Sequence, residues 1–345
     1  MALPGIQRPI IQAPMAGVQG SALCIAVSNA GGLGSLPCAM LNSEQLLTEI
    51  NTIKGATGQP YNLNFFCHQQ PEQNNQQQSQ WRKLLQPYFN ELQLDSDTPS
   101  LTPSRQPFSH VIADLIEDFQ PPVISFHFGL PSPGLIRRVK SWGCKILGCA
   151  TTLAEAQWLE ARGVDAIIAQ GIEAGGHRSI FLSTELNKQN ELSTLLSQLR
   201  GQISLPIIAA GGLANAEDVS IALSQGAGGA QLGSAFMLCP ETNTSTVHRA
   251  AIRSEAARST IITNVFSGRP ARGIVNRLIR EIGAINSEVP DFPHASDAIA
   301  QLRKQSESLA CGDFSPLWAG TKASQCLEIP AGELTPRLDP QAANT

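Results

Sequence analysis

The glycine-rich stretch at residues 206–234, PIIAAGGLANAEDVSIALSQGAGGAQLGS, constrains the fold of this chain more than any other segment. Its first five residues form a short apolar run, typical of a strand that is buried on both faces of a parallel sheet. A helix follows, which we expect Asn215 to cap, and then a second apolar strand at residues 230–232. The stretch therefore predicts a strand–helix–strand unit of a parallel sheet.

Glycines follow both of these strands. Gly211 and Gly212 come after the first strand, and Gly233 and Ser234 come after the second. Without side chains at these positions, backbone N–H groups are open to a ligand and can bind an anion. In a (β/α)8 barrel, the loops after strands seven and eight commonly bind a phosphate group. The alternative interpretation is that these glycines only permit tight turns.

Strand patterns recur along the chain at intervals that are typical of β–α units. We predict strands at residues 8–15, 33–36, 61–67, 123–128, 145–149, 165–170, 206–210 and 230–232. Among the intervening helices, we expect Ser43 to cap one and Thr152 another. Eight such units predict a (β/α)8 TIM barrel with an added smaller, mainly helical domain. The rival fold is an open doubly wound sheet, which does not need eight strands.

The domain organisation follows from breaks in this pattern. The barrel is predicted at residues 1–238, with a loop and helix excursion at about residues 68–107 that contains a short helix at 81–89. A helical domain that covers the substrate is predicted at residues 239–312, with helices at 246–259, 274–285 and 297–308. Residues 313–345 are predicted to return to the barrel.

Composition and charge argue against several classes of protein. The net charge of −4 and the lack of a basic patch argue against nucleic acid as a partner. We see neither a signal peptide nor an apolar run long enough to span a membrane, so a cytoplasmic protein is expected. The eight cysteines include no CxxC pair, and no cluster has convincing metal spacing. We expect reduced thiols and no metal.

Side-chain amides and further glycines lie at the carboxyl ends of other predicted strands. Asn64 ends the third strand and Gln170 the sixth, and Gly175 and Gly176 lie in the loop after the sixth. Because amides both donate and accept hydrogen bonds, they suit the edge of a flavin ring. Asn64 could equally satisfy backbone groups at a strand end.

His127 ends the fourth strand, where its imidazole could donate a hydrogen bond to a substrate or accept one from it. Its position between two phenylalanines would also suit a buried structural histidine. The roles of His177 and Lys322 are left open by the sequence, and Glu173 is a weak candidate for an acid or base.

Several motifs together resemble those of class I nitronate monooxygenases, also called 2-nitropropane dioxygenases. The matching segments are QAPM at residues 12–15, YNLNFFCH at 61–68, SFHFGLP at 125–131, QGIEAGGH at 170–177 and AAGGL at 209–213. The resemblance implies an FMN-binding TIM barrel with an added helical domain. Its active-site histidine corresponds to His127. The flavin contacts that it implies, with the residues against the ring given first, are Ala13, Pro14, Met15, Asn64, Gln170, Gly175, Gly212, Gln231, Leu232, Gly233 and Ser234.

The implied reaction is the FMN-dependent oxidative denitrification of alkyl nitronates, such as propionate 3-nitronate. It uses O2 and gives a carbonyl compound and nitrite, and the expected protein is a monomer or homodimer. The chain departs from the family at Ser234, where threonine is frequent, and its only tyrosines are Tyr61 and Tyr88. Two alternatives remain open, namely an NAD(P)H-dependent FMN reductase of the enoyl or quinone reductase type and a barrel that binds another phosphorylated ligand.

Overall fold

The computed structural model describes residues 5–72, 74–96 and 105–342. The strands in these residues are β1 (Ile10–Gln12), β2 (Gly34–Pro37), β3 (Tyr61–Phe66), β4 (Val123–His127), β5 (Lys145–Ala150), β6 (Ala166–Gln170), β7 (Gly176–His177), β8 (Ile207–Ala210), β9 (Gly229–Leu232), β10 (Thr260–Thr263) and β11 (Ala271–Ile274). Eight of them form one parallel sheet in the order β1-β9-β8-β6-β5-β4-β3-β2.

The parallel sheet closes where its two end strands, β1 and β2, meet. Ile11 and Leu33 form a parallel bridge at this seam. The backbone N–H of Gln12 donates to the carbonyl of Leu33 at 2.9 Å, and the N–H of Leu33 donates to the carbonyl of Ile10 at 2.9 Å. The predicted (β/α)8 barrel is confirmed, and the open doubly wound sheet is wrong.

The helices in the described residues are α1 (Ser21–Asn29), α2 (Ser43–Ala56), α3 (Asn75–Glu91), α4 (His110–Ile116), α5 (Pro133–Ser141), α6 (Leu153–Glu160), α7 (Leu192–Leu199), α8 (Ala216–Ser224), α9 (Thr246–Arg253), α10 (Arg277–Ile282), α11 (Ser296–Ser308) and α12 (Ala331–Leu338). The predicted caps Thr152 and Asn215 are confirmed. Ser43 as a cap is wrong, because Asn42 accepts from the N–H of Gln45 at 2.9 Å. The Gln45 side chain in turn accepts from the Asn42 N–H, which completes a capping box.

Two of the hydrophobic clusters in the described residues show how the barrel and the later region are packed. The first fills the barrel with apolar side chains from the strands, including Ile11, Leu147 and Ile208. The second joins Trp81 and Phe89 of α3 to residues of the later chain, and its other buried members are Leu85, Tyr88, Val265, Phe266, Leu278, Ile279, Val289, Ala295, Ala298, Ile299, Leu302 and Phe314. The excursion helix therefore packs with the region that follows the barrel strands.

The region after the barrel differs from the prediction in its local structure. A small antiparallel sheet, which was not predicted from the sequence, consists of β10, β11 and β7. The predicted helix at 274–285 is wrong at its start, because Ile274 pairs with Thr260 and the Asn276 side chain caps α10. The predicted helix at 246–259 ends at Arg253 and is followed by a 3-10 turn.

The excursion helix is longer than predicted, since it begins at Asn75 and includes part of the glutamine-rich tract. Residues 97–104 of the excursion lie outside the described residues. The division into domains at residues 238 and 312 stays a prediction.

Candidate functional site

A cavity opens at the carboxyl ends of the barrel strands, where the sequence placed the site. The predicted site residues all line this cavity: Ala13, Pro14, Met15, Asn64, His127, Gln170, Gly175, Gly176, Gly211, Gly212, Gln231, Leu232, Gly233 and Ser234. The fold thus brings together residues from six strand ends and their loops. Their roles toward a cofactor or substrate stay predictions.

The glycine loops at one end of the cavity are in close mutual contact. A Cβ on Gly175 would lie 2.5 Å from the Gly320 nitrogen, and a Cβ on Gly211 would lie 2.9 Å from the Ala174 nitrogen. Gly211 also has a φ of +112°, a conformation that side chains disfavour. The N–H of Gly320 donates to the Ser234 hydroxyl at 2.8 Å. These contacts leave no room for larger residues at Gly175 and Gly211.

Backbone N–H groups at this end of the cavity are available to a ligand. Within residues 5–72, 74–96 and 105–342, no hydrogen bond found uses the N–H of Gly211, Gly212, Gly233 or Ser234. We call these four residues, together with Gly175, the glycine cradle. Clustered free N–H groups at the ends of adjacent strands can bind an anion such as a phosphate group.

The amide side chains of the cavity are partly occupied by protein groups. The Asn64 nitrogen donates to the Ser125 carbonyl at 3.2 Å and to the Ser125 hydroxyl at 3.0 Å. The Gln170 oxygen accepts from the N–H of Ser179 at 2.9 Å. By contrast, the Oε1 atom of Gln231 is buried and has no partner in the described chain. An unpaired buried acceptor beside the cavity fits a ligand that supplies a donor.

His127 lies at the end of β4 and is neutral in this environment. Its pKa is lowered to about 3, first because burial disfavours the charged form and then because the Arg269 cation is close. The Nε2 atom is 3.3 Å from the backbone carbonyl of His177. Because a carbonyl oxygen only accepts, Nε2 carries the hydrogen in this pair and Nδ1 is an acceptor.

His177, which the sequence left undecided, also lines the cavity. Its ring packs near four aromatic rings, with centroid distances of 5.5 Å to Phe292, 5.5 Å to Trp318, 6.0 Å to Phe128 and 6.4 Å to Phe66. We call these four residues the aromatic wall. Burial lowers the pKa of His177 well below its usual value, and its Nε2 pairs with the Ser267 hydroxyl at 2.8 Å.

The aromatic wall, of which Phe66 and Trp318 line the cavity, was not predicted as part of a site, although the sequence carries some signal for it. Phe66 and Phe128 belong to the NFFCH and SFHFGLP motifs, and Trp318 belongs to the segment predicted to return to the barrel. Phe292 lies in the predicted helical domain, and no local pattern distinguishes it from a core residue.

Two cations line the cavity as well. Arg105 and Lys322 are charged lining residues, and no aspartate or glutamate is found among the described residues that line it. The Arg105 Nη1 donates to the Ser296 hydroxyl at 2.7 Å. Arg105 was overlooked because it lies in the Pro-, Ser- and Thr-rich excursion. The cavity is therefore electrostatically suited to anionic ligands.

The structure gives Glu173, the weak candidate for an acid or base, a structural role. Both carboxylate oxygens of Glu173 accept from the N–H of Leu192, at 3.0 and 3.1 Å, at the start of α7. In the part of the chain that the structure describes, no group of His, Cys, Asp or Glu is arranged to hold a metal ion. None of the helices in these residues combines the length and apolar character needed to cross a membrane.

Comparison with known proteins gives this cavity a family context. The family model described as nitronate monooxygenase matches residues 1–339. Nitronate monooxygenase from Pseudomonas aeruginosa is 38% identical over 347 residues, covering 96% of this chain and 95% of the relative. The enzyme of the same name from Paraburkholderia phytofirmans is 39% identical over 344 residues, covering 98% of this chain and 93% of the relative.

Comparison with solved structures agrees with the match to the family model. Nitroalkane oxidase from Streptomyces ansochromogenes superimposes with a TM-score of 0.89 at 32% identity, covering 99% of this chain and 98% of that one. FabK from Thermotoga maritima has a TM-score of 0.69 at 24% identity, covering 96% of this chain and 92% of that one, which shows a shared fold alone. From the family model and the curated relatives, this chain belongs to the nitronate monooxygenase family of enzymes.

Proposed function

We propose that this enzyme binds FMN and oxidises alkyl nitronates, such as propionate 3-nitronate, with O2 to a carbonyl compound and nitrite. The observation that carries the proposal is that an uncharged His127 and the glycine cradle open into one cavity. Membership of the nitronate monooxygenase family supports the class of substrate.

The residues present fit FMN. The free N–H groups of the glycine cradle would hold the phosphate group, and the unpaired Gln231 oxygen would accept from a donor of the ring. Asn64, whose nitrogen is bonded to Ser125, offers its amide oxygen as an acceptor. Bound FMN would supply the redox chemistry of the reaction.

His127 can bind the nitronate through its Nε2–H group. The bond from this group to the His177 carbonyl is long, at 3.3 Å, and the same carbonyl accepts from Gln170 Nε2 at 3.0 Å. If His127 turned its hydrogen to a substrate, the His177 carbonyl would still have a donor. The cost of redirecting this hydrogen bond is therefore small.

The charges around the cavity favour a substrate that is already an anion. Arg105 supplies a cation at the cavity, and the described lining residues include no carboxylate to oppose it. With its pKa lowered to about 3, His127 is a weak base for removing a carbon-bound proton. We therefore expect nitronates to be much better substrates than the corresponding neutral nitroalkanes.

The test combines an absorbance spectrum with a nitrite assay. The purified protein should carry or take up FMN and release nitrite from propionate 3-nitronate under air without NADH. FMN binding without nitrite release would contradict the proposed reaction. Rapid anaerobic bleaching of the flavin by NADH, with no nitrite formed, would instead favour an NAD(P)H-dependent reductase.

A further inference from the structure

We infer that Lys322 is a cationic ligand for the phosphate group of the cofactor and makes this enzyme prefer FMN over unphosphorylated riboflavin. The inference rests on the proposed function, because it assumes that a flavin occupies the cavity. It assigns a role to a residue that neither the family motifs nor the strand-end pattern singled out.

The segment that carries Lys322 is fixed against the loops of the glycine cradle. The Gly320 N–H donates to the Ser234 hydroxyl at 2.8 Å, and the Thr321 N–H donates to the Glu173 carbonyl at 3.1 Å. The Ala323 N–H donates to the Gly320 carbonyl at 3.1 Å, so Lys322 lies within a hydrogen-bonded turn. Lys322 itself lines the same cavity.

An ion pair holds the lysine between the cavity and α8. Its Nζ atom lies 2.5 Å from Oδ1 of Asp218, a residue in the first turn of α8. The other oxygen of Asp218 accepts from the N–H of Ala214 at 2.9 Å, which fixes the carboxylate. The pair therefore positions the ammonium group beside the loop that follows β8.

The ammonium group retains capacity for a second anion. A lysine has three N–H donors, and the Asp218 bond uses one of them. The Lys322 side chain is 38% exposed, so its end is reachable by a ligand. The glycine cradle supplies partial charges only, whereas a phosphate group carries up to two negative charges that a full cation stabilises more strongly.

The test compares the binding of two flavins that differ only in the phosphate group. Flavin-free full-length protein is titrated with FMN and with riboflavin, and flavin fluorescence is followed. For Lys322→Met, which keeps the side-chain length without the charge, we expect FMN affinity to fall about tenfold and riboflavin affinity to change less than about twofold. Lys322→Arg should restore most of the FMN affinity. The control is Lys188→Met, at an exposed lysine paired with Glu185, and it should bind both flavins as the wild type does.

Each outcome separates the possible roles of Lys322. An equal loss of FMN and riboflavin affinity would overturn the inference and indicate a packing role. An unchanged FMN affinity would also overturn it, because Lys322 would then serve only its ion pair with Asp218, while the proposed function would stand. A wild-type protein that binds neither flavin would overturn the proposed function and this inference together. Higher salt should reduce the difference between wild type and Lys322→Met, since ions screen a half-exposed charge.

Discussion

Two parts of the candidate site, the glycine cradle and the aromatic wall, are built in different ways. The glycine cradle brings together residues from loops after three barrel strands, and close contacts exclude a larger side chain at Gly175 and Gly211. The aromatic wall is made of side chains from four segments that are distant in sequence and surround His177. The cradle therefore depends on glycine at its closest contacts, and the wall depends on which side chains pack together. Substitutions in the glycine cradle should affect cofactor binding. Substitutions at the aromatic wall and its histidines should affect the reaction of the substrate and the pH dependence of stability.

The largest effect is expected for His127, beside the wall. His127→Asn should lower kcat/KM for propionate 3-nitronate about 100-fold, roughly 2.7 kcal/mol, because the hydrogen-bond donor at Nε2 is lost. His127→Gln places an amide N–H near that position and should retain more activity. FMN affinity should not change in either variant. The control is His110→Asn at an exposed histidine at the start of α4, and an equal loss in this variant would contradict the assignment.

A second prediction concerns the stability of the folded protein at lower pH, which depends on the buried histidines beside the aromatic wall. Burial lowers the pKa of His68 to about 4, of His127 to about 3, and of His177 well below its usual value. Below about pH 6.5 the unfolded chain takes up protons that the folded chain does not, so stability is present above this pH and is lost as the pH falls. Between pH 7.5 and 6.0 we expect the free energy of unfolding to fall by about 2 kcal/mol from these three groups.

Denaturant unfolding at the two pH values measures this loss. His68→Gln removes one of the titrating groups and should reduce the pH-dependent loss by about 0.8 kcal/mol. Burial also lowers the pKa of His248 to about 4, so this histidine adds to the total loss in every variant. His110→Gln changes an exposed histidine and should leave the loss unchanged. An unfolding free energy that is the same at pH 7.5 and 6.0 would show that these histidines are not held neutral by burial.

The smallest expected effect tests the cradle. In Gly175→Ala, the new Cβ would lie 2.5 Å from the Gly320 nitrogen and 2.6 Å from the Ala319 carbonyl carbon, so the loops must separate. We expect FMN affinity to fall about tenfold, roughly 1.4 kcal/mol, measured by flavin fluorescence titration. In Gly55→Ala the Cβ meets nothing within 4 Å, and this variant should bind FMN normally. Normal binding by Gly175→Ala would mean that the cradle is not the phosphate site.

The difference between these two parts also explains which site residues could be predicted. Gly211, Gly212, Gly233 and Ser234 directly follow strand patterns, and parallel strands of a barrel end at one face. The proximity of these four residues therefore follows once the strands are recognised. Arg105 lines the cavity and Phe292 packs against His177, yet neither follows a barrel strand. Their positions depend on how the excursion and the later region pack.

The sequence by itself determined the barrel, the face on which its site lies and the positions of the cradle residues, because these follow from strand periodicity and from where the strands end. Only the tertiary structure decided the aromatic wall, the β10-β11-β7 sheet and the ion pair of Lys322 with Asp218. These features join residues far apart in the chain, and their contacts depend on the packing of complete elements, which no local pattern of residues encodes.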